Sequence, residues 1–313
     1  MLAVIAMLAF AFNAKTSARQ QSAPAKPPAA TDGSRIDYSA MPSAALGREL
    51  KFAIQLPPSY DKDTKRKFPV LYFLHGMNGS EGEFESRGVA AAINKLRESG
   101  KIGEMIIVAP GGKNSFYLNA KNGEQYEDAI IKDLIPFIEK TYRTAGTRDG
   151  RAIQGISMGG FGALVLAFKH PEMFSSVTAH CPAVFAELPN ASGTDRRSQF
   201  MARLVGSIFG EPADQAFFHA NNPMDLAETN AALLKKSAIK IYFDVGDQDR
   251  YGFTQPNKDF DARLTKAGVT HEFHVFPGGH GWEYMISVAE HSYGFLWSGF
   301  KPSGKTTAKS AGE

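Results

Sequence analysis

The chain is divided into short apolar runs and longer segments whose apolar residues recur every three or four positions. Strands are predicted at residues 49–57, 68–76, 104–112, 151–155, 174–182, 238–249 and 271–282. The runs at 68–76 and 104–112 are continuously apolar, which is typical of strands buried on both faces. Helical spacing is clearest at residues 126–142, where Ile130, Ile131, Leu134, Ile135 and Ile138 share one side. Residues 158–170 and 283–300 also have a helical pattern.

This alternation of strands and helices predicts an α/β fold, with a mostly parallel central sheet and helices on both faces. Polar or glycine-rich loops follow the predicted strands, and functional sites of such sheets lie at the carboxyl ends of the strands. Residues 183–236 form a long polar, loop-rich stretch between two strands. We expect this stretch to be a cap insertion over the site.

The two ends of the chain differ in pattern from the middle. Residues 1–12 are wholly apolar and precede a polar, alanine-rich stretch, which is the pattern of a secretory signal peptide. The sequence therefore predicts a signal peptide at 1–18, a disordered linker at 19–34, one folded domain at 35–300 and a disordered tail at 301–313. A secreted or periplasmic location follows, without stable membrane insertion after cleavage.

Composition narrows the function classes. The net charge is +3 and the basic residues are scattered, so we do not expect nucleic acid as a partner. The single cysteine, Cys181, excludes an intramolecular disulfide, and in its apolar neighbourhood we interpret it as an inert core residue. No cluster with metal-ligand spacing is visible, and the sequence predicts neither a metal nor another cofactor.

A serine between glycines is the first candidate for chemistry. Ser157 lies in the segment Gly155-Ile156-Ser157-Met158-Gly159, which matches G-x-S-x-G, with a β-branched strand before it and a small-residue helix after it. A strand-to-helix turn of this kind exposes the serine hydroxyl at a helix N-terminus, where negative charge is stabilised. Ser157 is therefore the predicted nucleophile, and the alternative is a helix-capping serine.

Serine needs a base, and the base needs an orienting carboxylate. Among eight histidines, His280 follows Phe-Pro-Gly-Gly directly after a strand, so its ring can lie over the strand ends. The segment at residues 242–252 offers Asp244, Asp247 and Asp249. Asp249 lies beyond the turn and is the preferred candidate, while Asp247 remains open and Asp244 is interpreted as structural. The order serine, aspartate, histidine is that of α/β-hydrolases.

The oxyanion of an acyl-transfer intermediate needs hydrogen-bond donors. We expect them to be the backbone amides of Met158, directly after the nucleophile, and of Met77, which follows the His75-Gly76 turn. His75 is interpreted as a turn-organising residue. Two further residues, Trp282 and Tyr117, are candidates for substrate contact, with core or loop packing as the alternative for each.

Several segments together resemble the esterase D family of α/β-hydrolases. These segments are LHGMNGSEGEF, GGKNSFYLN, YEDAIIKDLIPFIEKTY, GISMGGFGALVLAFKHPEMFSSVTAHCPA, IFGEP, FDVGDQD and GGHGW, in collinear order over residues 40–300. The family includes S-formylglutathione hydrolases, feruloyl and acetylxylan esterases and mycolyltransferases. The resemblance implies that Ser157 is the nucleophile, Asp249 the acid and His280 the base, with oxyanion amides at Met77 and Met158.

The resemblance implies a serine esterase that acts through an acyl-enzyme, and the predicted signal peptide implies that it is exported. The expected substrates are small-molecule or polysaccharide-linked esters, such as short-chain, acetyl or feruloyl esters. Two alternatives stay within the family, namely a mycolyltransferase-type acyltransferase and an S-formylglutathione hydrolase. A third, from another class, is a non-catalytic module that binds a carbohydrate or partner. The sequence does not indicate an oligomeric state.

Overall fold

An eight-stranded sheet forms the centre of the molecule in a computed structural model that describes residues 33–188 and 196–301. The strand order is β1-β2-β4-β3-β5-β6-β7-β8. The strands are β1 (Arg35–Ser43), β2 (Arg48–Leu56), β3 (Val70–Leu74), β4 (Ile106–Pro110), β5 (Arg151–Ile156), β6 (Ser176–His180), β7 (Lys240–Gly246) and β8 (Glu272–Phe276). β2 pairs antiparallel with β1 and β4, and all other neighbours are parallel.

Helices connect the parallel strands. They are α1 (Glu83–Ser86), α2 (Val89–Glu98), α3 (Tyr126–Asp128), α4 (Ile135–Thr141), α5 (Met158–Lys169), α6 (Arg196–Phe209), α7 (Gln215–Ala220), α8 (Pro223–Thr229), α9 (Ala231–Ser237), α10 (Thr254–Lys266), α11 (Trp282–Ser287) and α12 (Ala289–Gly299). A π-helical segment, Ala129–Leu134, joins α3 to α4, and a 3-10 turn, Arg148–Gly150, precedes β5.

The central strands are buried on both faces, as their continuous apolar sequences predict. Every residue of β3, β4, β5 and β6 is buried. Along β3, Leu71 and Phe73 enter one core with α2 and α12, whereas Tyr72 and Leu74 enter the other with α4, α5 and α10. The predicted α/β fold, with helices on both faces of a mostly parallel sheet, is confirmed.

Three elements differ from the sequence-based expectation. β1 was not predicted as a strand because it lies at the sheet edge and buries only Met41 and Ser43. The predicted helix over 283–300 is interrupted at Val288 and forms α11 and α12. The insertion between β6 and β7, expected to be loop-rich, contains the four helices α6 to α9.

The insertion packs on the helix that follows the predicted nucleophile. The ring of Phe185 stacks on Phe161 of α5 at 5.7 Å and on Phe218 of α7 at 6.0 Å. Residues 189–195 of the insertion lie outside the described residues. So do residues 1–32 and 302–313, and with them the predicted signal peptide and nearly all of the predicted linker and tail. Among residues that are described, no helix has the length and apolarity needed to cross a membrane.

Candidate active site

The candidate residues follow three strands in one half of the sheet. Ser157 follows β5, Asp249 lies in the loop after β7, and His280 lies in the loop after β8. β5, β6, β7 and β8 are consecutive and parallel, so their carboxyl ends meet at one edge. The fold therefore places all three residues at the edge where the sequence predicted a site.

Ser157 occupies a strained turn between β5 and α5. Its backbone angles are φ 56° and ψ −118°, outside the regions that a residue with a Cβ usually adopts. Its amide donates to the carbonyl of His180 at 2.8 Å, and its own carbonyl accepts from the amide of Ala183 at 3.1 Å. The surrounding backbone thus holds the serine in this strained conformation.

The glycines on either side of Ser157 permit a close approach of backbones. A Cβ on Gly159 would lie 2.1 Å from the carbonyl oxygen of Leu74 in β3, and one on Gly155 would lie 2.1 Å from the carbonyl oxygen of Gly159. Both separations are far below van der Waals contact. Any other residue at either position would move α5 away from the sheet, and Ser157 with it.

His280 and Asp249 form a buried hydrogen-bonded pair. His280 Nδ1–H donates to Asp249 Oδ2 at 2.7 Å, and the side chains are 6% and 0% exposed. Burial alone would raise the pKa of the Asp249 carboxyl, but the hydrogen bond and charge of His280 outweigh it and lower that pKa. The amide of Tyr251 also donates to Asp249 Oδ1 at 2.8 Å. Asp249 is therefore an ionised acceptor that fixes the His280 ring, with Nε2 left for chemistry.

The other two aspartates of this loop have different partners. Asp247 Oδ1 accepts from the amide of Gly278 at 2.9 Å, which ties the loop carrying His280 to the end of β7. Asp244 is fully buried within β7 and pairs with His180 at 3.0 Å. The structure brings Asp249, and neither alternative, into contact with His280.

The segment after β6 connects the nucleophile to the His280–Asp249 pair. His180 binds the amide of Ser157, and the next residue, Cys181, places its Sγ 3.9 Å from the carbonyl oxygen of Gly279. The ligand atoms of Cys181, Asp249 and His280 lie within 4.8 Å of one another. One short segment thus contacts both halves of the candidate site.

Those same three side chains are the one possible metal-binding group of the described residues. The arrangement does not favour a metal, because Asp249 and His280 already bind each other. Burial also raises the pKa of the Cys181 thiol, which disfavours the thiolate that a metal would need.

A second loop, after β3, lies against the nucleophile. His75 Nε2 accepts from the amide of Gly112 at 2.8 Å, and its Nδ1–H donates to the carbonyl of Gly76 at 2.7 Å. Burial lowers the pKa of His75, so the ring stays neutral in this role. A Cβ on Gly76 would lie 3.6 Å from the Cβ of Ser157, which shows how near the loop comes to the serine. His75 organises this turn and is not a second base.

The amides of Met77 and Met158 are the candidate oxyanion donors. Met158 is the first residue of α5, so its amide has no acceptor within the helix. No hydrogen bond within residues 33–188 and 196–301 engages either amide. Neither amide therefore has an acceptor among the described residues, as an oxyanion donor requires.

The structure places the two candidate substrate residues differently. Trp282 is half-buried, directly after the His280-Gly281 turn, and its ring lies 6.1 Å from that of Phe73. Tyr117 is fully buried, and its hydroxyl donates to the carbonyl of His75 at 3.3 Å. A side chain without exposed surface cannot line an open site. Tyr117 instead supports the loop after β3 through its hydrogen bond to His75.

Sequence reasoning missed Tyr251, whose ring lies 4.6 Å from that of His280. The sequence feature that could have identified Tyr251 is its position two residues after Asp249, the preferred acid. No other apolar side chain occurs in this loop before Phe253.

A serine on a strand-to-helix turn, a histidine–carboxylate pair and a mostly parallel sheet define the class of α/β-hydrolases. Residues 43–288 match the model of the family described as "Putative esterase". The chain belongs to this esterase family.

Several known proteins that are similar to this chain are esterases. An esterase of Mycobacterium tuberculosis is 30% identical over 265 residues, which are 79% of this chain and 56% of that protein. The acetyl esterase of Caldicellulosiruptor saccharolyticus is 25% identical, over 76% of this chain and 86% of its own. The structure of a ferulic acid esterase has a TM-score of 0.73 and 28% identity, over 86% of this chain and 99% of that one. The chain spans about half the length of the mycobacterial relative.

Proposed function

We propose that the protein is a serine esterase in which Ser157, His280 and Asp249 form a catalytic triad. The observation that carries this proposal is the strained Ser157 turn, held by the same 180–183 segment that contacts the buried His280–Asp249 pair. Backbone strain of this kind is retained where it serves a function.

In the proposed reaction His280 Nε2 takes the Ser157 proton as the serine oxygen attacks the ester carbonyl. The amides of Met77 and Met158 stabilise the oxyanion, and His280 then protonates the departing alcohol. Water, activated by the same histidine, releases the acid from the acyl-serine. Asp249 holds the ring and stabilises its cation throughout.

The substrates we propose are esters with small or aromatic acyl groups. Support comes from the acetyl esterase and the ferulic acid esterase among similar proteins. The apolar segment at residues 1–12 supports export, which favours extracellular esters over cytosolic thioesters. Release from the cell with loss of this segment, detected by mass spectrometry of the mature N-terminus, would support export.

Labelling by a fluorophosphonate tests the nucleophile directly. We expect the wild-type protein to react and to hydrolyse p-nitrophenyl acetate, and Ser157→Ala to lose both activities while unfolding at the same urea concentration. Retained turnover in Ser157→Ala would contradict the triad, and an unreactive, folded wild-type protein would favour a non-catalytic binding module.

A second experiment addresses acyl specificity. Rates on acetyl, butyryl, octanoyl and feruloyl esters would rank the acyl groups, and product formed with an added alcohol acceptor would reveal acyl transfer.

A further inference from the structure

Two asparagines join the loop after β3 to the loop after β4, directly beside the proposed oxyanion amide of Met77. The Asn78 amide donates to Asn114 Oδ1 at 2.7 Å, and Asn114 Nδ2 donates to Asn78 Oδ1 at 2.9 Å. The backbone donor requires the oxygen of Asn114 to face Asn78, which leaves the Asn114 nitrogen to donate in return. One side chain thus binds both the backbone and the side chain of the residue that follows Met77.

Met77 occupies the second position of a tight turn. The Gly79 amide donates to the Gly76 carbonyl at 3.2 Å, which closes a β-turn. Asn78 is the third residue of that turn and has φ 61°, a left-handed conformation that asparagine tolerates better than most residues with a Cβ. Because Met77 and Asn78 together span the turn, a change of conformation at Asn78 alters the backbone that carries the Met77 amide.

A second contact between the same two loops lies on the other side of Met77. His75 Nε2 accepts from the Gly112 amide at 2.8 Å. Gly112 and Asn114 both belong to the loop after β4, so Met77 lies between two contacts to one loop. Donors that are oriented before the reaction stabilise an oxyanion best, because they need no reorganisation as the charge develops. The two contacts give the Met77 amide this fixed orientation.

The loop after β4 has its own internal support. Ser115 Oγ donates to the Gly112 carbonyl at 2.6 Å and accepts from the Tyr117 amide at 3.0 Å. Lys113, directly before Asn114, has φ 46°, which is a strained conformation for a residue with a Cβ. Such strain persists only where the surrounding structure enforces it. The loop thus holds Asn114 in a fixed position.

We propose that Asn114 is a positioning residue of the oxyanion site, which fixes Asn78 and, through the turn, the Met77 amide. This inference rests on the proposed esterase function and on Met77 as an oxyanion donor. An oxyanion forms twice in the proposed reaction, when Ser157 attacks the ester and when water attacks the acyl-serine. Loss of the Asn78–Asn114 pair should therefore slow both steps by a similar factor and leave substrate binding unchanged.

The variant Asn114→Ala removes both hydrogen bonds of the pair. We expect kcat and kcat/KM for p-nitrophenyl acetate to fall together by about 10-fold, less than the roughly 10²- to 10³-fold cost of removing an oxyanion donor, since the Met77 amide remains. KM should stay within about twofold of the wild type. The pH midpoint of kcat/KM should not move, because the His280–Asp249 pair is unchanged.

A transition-state analogue measures the oxyanion site separately. When 1,1,1-trifluoroacetone reacts, the Ser157 oxygen bonds to the ketone carbon, the serine proton passes to His280, and the ketone oxygen becomes an anion at the oxyanion amides. The inhibition constant of this ketone should rise in Asn114→Ala by about the factor by which kcat/KM falls. Loss of activity by another route would leave the two changes unequal.

Asn119→Ala is the matched control. Asn119 is also half-buried in the loop after β4 and also forms a reciprocal pair, because its Oδ1 accepts from the Asp128 amide and its Nδ2 donates to Asp128 Oδ1, each at 3.0 Å. Its partner lies in α3 and not in the loop after β3. Asn119→Ala should shift the urea midpoint about as much as Asn114→Ala, but should leave kcat/KM and the inhibition constant within about twofold of the wild type.

Two substitutions of Asn78 test the turn with Asn114 in place. Both remove the Asn78 side chain and keep the amide that donates to Asn114 Oδ1, but only glycine adopts a positive φ without strain. Asn78 is exposed, so neither change should unfold the protein. We expect Asn78→Gly to retain at least about a third of the wild-type kcat/KM, whereas Asn78→Ala should lose about as much as Asn114→Ala.

Four results would overturn the inference. An equal loss of kcat/KM in Asn114→Ala and Asn119→Ala would make the effect one of stability alone, and equal activity of Asn78→Gly and Asn78→Ala would exclude the turn. An unchanged inhibition constant in Asn114→Ala would separate Asn114 from the oxyanion, and a shifted pH midpoint would place its effect at His280. Failure of the proposed esterase function looks different, because Ser157→Ala would then turn over the ester or the wild-type protein would not bind trifluoroacetone.

Discussion

At the scale of single residues, the assignment of Asp249 instead of Asp247 as the partner of His280 has a measurable consequence. His280 lowers the pKa of Asp249 below its usual value of about 3.9, so ionised Asp249 stabilises the folded state. That stabilisation is fully present above the usual pKa and is lost as pH falls through the lowered one. We expect the difference in unfolding free energy between wild type and Asp249→Asn to be large at neutral pH and to shrink in acid. Urea unfolding at several pH values measures it.

The same variant distinguishes Asp249 from its neighbour by activity. Asp249→Asn should lower kcat by about 10³- to 10⁴-fold, as expected when the ring of a catalytic histidine loses its orienting carboxylate. Asp247→Asn is the matched control, because its remaining side-chain oxygen can still accept from the Gly278 amide. A larger loss in Asp247→Asn than in Asp249→Asn would reverse the assignment.

Sequence reasoning selected Ser157 and His280 because each follows a predicted strand at a glycine-containing turn. The choice between Asp247 and Asp249 needed the path of the loop, since both lie beyond Gly246 and both have carboxylates. Tyr251 was missed for the same reason. Whether an aromatic residue in a loop packs inward or stands beside a histidine depends on tertiary contacts that spacing does not encode.

At the scale of elements, close packing of α5 on β3 determines where Ser157 lies. Gly159→Ala would add a Cβ 2.1 Å from the Leu74 carbonyl oxygen, which is rigid backbone. We expect this change to lower the unfolding free energy by about 1–3 kcal/mol and to lower kcat as the serine moves. Gly294→Ala is the control, because among the described residues no atom beyond its chain neighbours and the local backbone of α12 lies within 4 Å of the added Cβ. It should stabilise the fold by about 0.5–1 kcal/mol. Equal effects of the two changes on stability would exclude tight packing as the cause.

A buried polar network also links the strands beneath the site. Gln154 of β5 contacts His180 Nε2 at 3.0 Å, His180 Nδ1 donates to Asp244 of β7, and the Tyr242 hydroxyl donates to Asp244 Oδ2 at 2.9 Å. Each of these side chains is buried and contacts another member of the network, so the network links β5, β6 and β7 in one register. Sequence patterns identified the strands, but the pairing of His180 with Asp244 depends on strand order.

At the scale of the whole molecule, both cores share the strands of one sheet. Alternate residues of β3 enter opposite cores. The loss of either core would therefore weaken strands on which the other core also packs. Trp282 and Trp297, the two tryptophans of the chain, both pack on the core formed with α2 and α12. Their fluorescence therefore reports one face, whereas far-UV circular dichroism also reports helices α4 to α10. We expect the two signals to change at the same urea concentration, because unfolding of one face removes the support of the other. A fluorescence transition clearly separated from the loss of helix would show that the two layers unfold independently. Repeating the measurement with Trp297→Phe would assign the remaining signal to Trp282, which lies beside the loop that carries His280.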